Sequence, residues 1–137
     1  MPLIVDAHED LAYNMITQER DYLRPLAETR RLEALKPADQ REGESLISWE
    51  EYQRGQVAVV FGTLFAAPRR RSLGGREDAL TYADYNQAYT SYRRQLDLYH
   101  RLVDDHPDHV RLVGNRTDLE AVLRAGEKPL PEVRSGE

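Results

Sequence analysis

Leu3-Ile4-Val5-Asp6-Ala7-His8-Glu9-Asp10-Leu11 decides how this chain is read. Three apolar residues run without interruption into four residues that carry or can carry charge, separated only by Ala7. The unbroken Leu3-Ile4-Val5 run predicts a strand buried on both faces of a parallel sheet. His8 and Asp10 are two apart, so on a strand they share a face. An imidazole and a carboxylate side by side at the end of a buried strand are two ready ligands for a divalent metal.

The chain of 137 residues suits one domain by length. Its formal net charge of −5 argues against nucleic acid as the main partner, because phosphate binding wants a basic surface. Cysteine is absent, so disulfides and thiolate metal sites are excluded and any metal must rest on His, Asp or Glu. No apolar run approaches the roughly 20 residues of a membrane span. Met1 leads almost directly into the first strand without the pattern of a signal peptide. The expectation is a cytoplasmic protein that contacts neither membrane nor nucleic acid.

Outward from the first strand, Leu11 to about Glu19 reads as a helix, with Asp10 placed to cap it. From Arg20 to Glu44 the periodicity fades, apart from a short helix over Leu26 to Leu35. A loop of that length in a compact domain is usually functional or a lid. Ser48-Trp49-Glu50-Glu51 fits a capping box, and Gly55 closes its helix. Gln56 to Phe65 is a near-continuous apolar run of the length of a second buried strand. Arg69, Arg70 and Arg71 stand in a loop and read as a solvated turn rather than an anion site. The longest helix is expected from Glu77 to Asp105. On it Tyr82, Tyr85, Tyr89, Tyr92, Leu96, Tyr99 and Val103 form an amphipathic stripe expected to pack in the core. Val110 to Val113 looks extended, and Thr117-Asp118-Leu119-Glu120 is a second capping box. The tail from Lys128 is polar and interrupted by proline.

Two buried strands separated by helices suggest parallel βα units. Two strands alone make no stable parallel sheet, since each needs neighbours on its edges and helices on its faces. The expected fold class is therefore α/β: the first two βα units and the long helix of a (β/α)8 barrel, with residues 1–137 ending before a third strand.

His8 and Asp10 are the candidate metal ligands, spaced and placed like the residues at the active face of such barrels. Asp6 shares their parity but sits deeper, where it orients a ligand or a backbone group. Glu9 has the opposite parity and is expected to point away. His100, His106 and His109 read as surface histidines. No phosphate loop, nucleophile elbow or His-Glu-x-x-His helix is present.

The stretch from Ile4 to Asn14 resembles the opening of the membrane dipeptidase (renal dipeptidase) family of zinc metallopeptidases, whose barrel begins with Asp-(small)-His-x-Asp-Leu. Arg54 to Phe61 is similar to that family's second strand after a short helix and Gly. Gln95 to Val103 is similar to the helix before its third strand, and the Thr117 helix continues the likeness. The resemblance implies a barrel with two zinc ions that hydrolyses dipeptides by a metal-activated water, with His8 and Asp10 holding one metal. It implies further ligands, a bridging Glu and two later His, that nothing here matches; Glu132 and Glu137 lie in the polar tail. A small dipeptide is the expected substrate, a homo-oligomer is compatible with the reading, and the 137 residues alone are expected to be inactive. Two alternatives are another metal-dependent amidohydrolase, which usually opens with His-x-His, and a non-enzymatic helical interaction domain that uses the tyrosine stripe.

Overall fold

The computed structural model describes residues 3–41, 43–71 and 79–126. Strand β1 (Ile4–Glu9) pairs in parallel with β2 (Val57–Gly62), joining Ile4 to Val57 and Glu9 to Gly62, with irregularities after Ile4 and Asp6. Between them run α1 (Leu11–Thr17), α2 (Leu26–Ala34), a 3-10 turn at Ala38–Gln40 and α3 (Trp49–Arg54). After β2, the two-residue strands β3 (Ala67–Pro68) and β4 (Thr81–Tyr82) also pair in parallel. Helices α4 (Tyr85–Asp105) and α5 (Arg116–Gly126) follow. The architecture is mixed α/β, built on small sheets.

Local chemistry explains the boundaries. Ser48 Oγ accepts from the Glu51 N–H and starts α3, as its capping-box pattern predicts. The second strand is shorter than the apolar run: Gln56 takes a left-handed φ of 57° and separates α3 from β2, and pairing ends at Gly62. The long helix begins at Tyr85 rather than Glu77, because Asp84 Oδ1 accepts from the Gln87 N–H at 2.9 Å and caps it. Tyr82 accordingly belongs to a strand, while Glu77 and Asp78 lie outside the described residues. The Thr117 capping box is not used. Asn115 Oδ1 accepts from the Asp118 N–H, and the Asp118 carboxylate takes the Gly114 N–H and the Asn115 amide. Val110 to Val113 pairs with no strand.

The segment from Arg20 to Glu44 is more ordered than its composition predicts. Arg20 Nε meets Glu33 Oε1 at 2.7 Å with each side chain only 10% exposed. The other Glu33 oxygen accepts from the Ser45 N–H, and the Ser45 carbonyl accepts from Arg30. Lys36 donates to the Gln18 carbonyl, and the Trp49 N–H to that of Tyr22. These bonds tie Gln18, Arg20 and Tyr22 to α2, Lys36, Ser45 and Trp49.

Two packing expectations are overturned. The strands are not buried on both faces: Ile4 and Val5 are 51% and 54% exposed, because the two-stranded sheet lacks neighbours. The tyrosine stripe is not core either. Tyr85, Tyr89 and Tyr92 face solvent, whereas Gln95 is fully buried and grips the Phe65 backbone through both its amide nitrogen and its oxygen. Among the described residues, the buried apolar ones are Leu11, Ala12, Tyr22 and Leu80.

Removing one member of a buried ion pair strands the other charge, at a cost of about 3–5 kcal/mol. Glu33→Ala is therefore expected to lower the urea midpoint by that much stability, while a surface pair such as Arg93 and Asp97, truncated equally, shifts it by about 1 kcal/mol at most. Equal effects from the two substitutions would contradict the buried assignment.

Candidate functional site

His8 and Asp10 meet where β1 gives way to α1. His8 Nε2 lies 3.5 Å from Asp10 Oδ2, with the side chains 72% and 42% exposed. Two donors bound about 2.0–2.1 Å from one tetrahedral zinc stand about 3.3 Å apart by geometry. The pair thus fits two neighbouring corners of a metal's coordination shell, open to solvent. Among the described residues, no group of three or more His, Asp or Glu is placed to hold a metal.

Asp10 occupies the N-cap position of α1, yet its carboxylate makes no cap hydrogen bond. An N-cap side chain normally accepts the N–H of the second or third helical residue. Here the Ala12 N–H, second in the helix, is taken at 3.3 Å by the hydroxyl of Tyr99 from α4. That hydroxyl donates in turn to the Thr63 carbonyl at 2.9 Å. Asp10 is left free of the capping role, and its Oδ1 accepts from the Thr63 hydroxyl.

The neighbouring acids Asp6 and Glu9 approach each other through their side chains. Asp6 does not join the pair; its Oδ1 accepts from the His8 backbone N–H at 3.0 Å, shaping the turn of the strand end. Glu9 is half-buried on the side of Tyr52, where burial, then the nearby Asp6 carboxylate, raises its carboxyl above the ordinary range. Its backbone carbonyl accepts from the Thr63 N–H at 2.9 Å, closing the end of the parallel pair. Burial raises the phenols of Tyr22, Tyr52 and Tyr99 as well, so all three remain neutral hydroxyls.

The other histidines stand elsewhere. His109 is exposed and packs edge to face on Trp49 with ring centres 4.6 Å apart, and His106 lies 6.3 Å from His109. His100 is exposed on α4. Arg69 and Arg70 are exposed, as a solvated turn requires. Glu132 and Glu137 lie outside the described residues. Among those residues no helix is long and apolar enough to cross a membrane.

Sequence reasoning missed Thr63, Tyr99 and Gln95. Thr63 directly follows the last residue of β2, a signal available from the strand boundary. Tyr99 was hidden among the other tyrosines of its stripe. No family model, curated protein or solved structure matches the chain.

Gly62 carries the closest packing at the site. A Cβ there would lie 2.8 Å from Tyr99 Cε1 and 2.9 Å from Cζ, against a ring whose hydroxyl is held at both lone pair and proton. Overpacking of this kind costs about 1–3 kcal/mol. Gly62→Ala is expected to lose that much stability in wild-type protein and much less in a Tyr99→Ala background, a coupling read by a double-mutant cycle.

Proposed function

We propose that this chain is the N-terminal part of a zinc-dependent dipeptidase of the membrane dipeptidase type, in which His8 and Asp10 hold one metal. The observation that carries this reading is the 3.5 Å approach of His8 Nε2 to Asp10 Oδ2 at the carboxyl end of a parallel strand, with Asp10 released from capping. Active residues of (β/α)8 barrels sit at that end of the strands. The parallel β1 and β2 with helices between them are compatible with the opening of such a barrel.

When bound, the metal would supply Lewis-acid chemistry, polarising a peptide carbonyl and activating water. His8 presents an imidazole nitrogen and Asp10 one carboxylate oxygen toward the same space. Asp6 keeps the His8 backbone in place through its N–H. Remaining ligands would come from outside the described residues, so the proposal assigns this chain half of a site and a dipeptide as the substrate of the whole.

A second reading, a non-enzymatic interaction domain, draws on the exposure of Tyr85, Tyr89 and Tyr92 on one side of α4. Zinc titration separates the two. Calorimetry on the full chain is expected to show weak zinc binding that disappears in His8→Ala and in Asp10→Ala, with unchanged circular dichroism. Variants that bind as the wild type does, or a wild type that binds none, would refute the metal reading.

With two protein ligands in place of a full set, the purified chain is expected to hydrolyse no dipeptide above background, with or without added zinc. Turnover that depends on zinc and on His8 would show that the chain already holds a complete site.

A further inference from the structure

The Asp10 carboxylate is met by a residue just beyond the other strand. Thr63 follows β2, and its backbone is fixed on both sides: its N–H donates to the Glu9 carbonyl at 2.9 Å, and its own carbonyl accepts from Tyr99 at 2.9 Å. The preceding Gly62 lies flat against the Tyr99 ring. A β-branched side chain on so constrained a backbone has little rotamer freedom. The Thr63 hydroxyl therefore has a set position, donating to Asp10 Oδ1 and reaching the Glu9 carbonyl at 3.1 Å.

Engaging Oδ1 has a consequence for the other oxygen. A carboxylate at a strand end, 42% exposed, would otherwise rotate among several orientations. With Oδ1 held by Thr63, the oxygen turned toward His8 Nε2 is Oδ2. Partners of this sort, which hydrogen-bond a ligating carboxylate and fix its orientation, commonly set metal affinity.

We propose that Thr63 is a positioning residue for the metal site: its hydroxyl fixes the rotation of the Asp10 carboxylate and leaves Oδ2 as the ligand atom beside His8. This rests on the reading of His8 and Asp10 as metal ligands. Tyr99 supports the arrangement twice, by anchoring the Thr63 carbonyl and by taking the helix N–H that Asp10 would otherwise cap.

Two measurements on the full chain test it. Zinc titration should show about a tenfold or greater loss of affinity in Thr63→Val, which keeps the branched shape, and near wild-type affinity in Thr63→Ser, which keeps the hydroxyl. Without metal, the Asp10 side-chain carbonyl 13C resonance and Hβ couplings should report one rotamer in the wild type and in Thr63→Ser, and averaging in Thr63→Val. Thr63→Ala takes the place of the valine variant if that variant does not fold. Unchanged zinc affinity and unchanged Asp10 signals in the variant lacking the hydroxyl would overturn the positioning role, while zinc loss in His8→Ala would leave the metal reading standing. If the wild type binds no zinc, the metal reading falls, and with it the role of Thr63 toward a metal.

Discussion

The Tyr99 hydroxyl is the contact through which the long helix, the first helix and both main strands are joined. It accepts from Ala12 at the start of α1 and donates to Thr63 after β2, so one oxygen ties α4 to the ends of β1 and β2. Few apolar residues are buried here, and the elements are joined to an unusual degree by polar contacts. Gln95 binds the Phe65 backbone, the Trp49 indole donates to the His109 carbonyl, and Arg20 pairs with Glu33. Each such bond contributes only about 1 kcal/mol net, but breaking one side strands a buried group at a greater cost.

The same balance accounts for the exposed strands and tyrosines. Parallel sheets are covered on both faces in nearly every protein that has them. Here Ile4, Val5 and Phe61 of the paired strands are exposed, as are Tyr85, Tyr89 and Tyr92 of α4. The apolar sequence of these elements is thus left without matching apolar cover among the described residues.

Much of the local structure was legible from residue order. The β1 run, the helix near Leu26 and the Ser48 cap follow from patterns of a few residues, and the structure places them close to where those patterns put them. Amphipathic spacing continues through Tyr82 and so extends the expected helix too far at its start, although Asp84-Tyr85-Asn86-Gln87 carries a four-residue cap signal. The stripe was misread as core because periodicity identifies a face without identifying what covers it. His8 and Asp10 are near in sequence, though Asp10 lies at the N-cap of α1 and not in the strand whose parity predicts a shared face; Thr63 and Tyr99 reach the site from 53 and 87 residues away in sequence, a relation that only the fold creates.

Asp10 could serve the backbone or the ligand space, and the competition is settled by geometry rather than by its own sequence neighbours. An aspartate at an N-cap gains about 1 kcal/mol by accepting a helix N–H. One of the two donors such a cap would use, the Ala12 N–H, is taken by Tyr99. The carboxylate then turns to the strongest donor within reach, the Thr63 hydroxyl. Its second oxygen is left 3.5 Å from His8 Nε2.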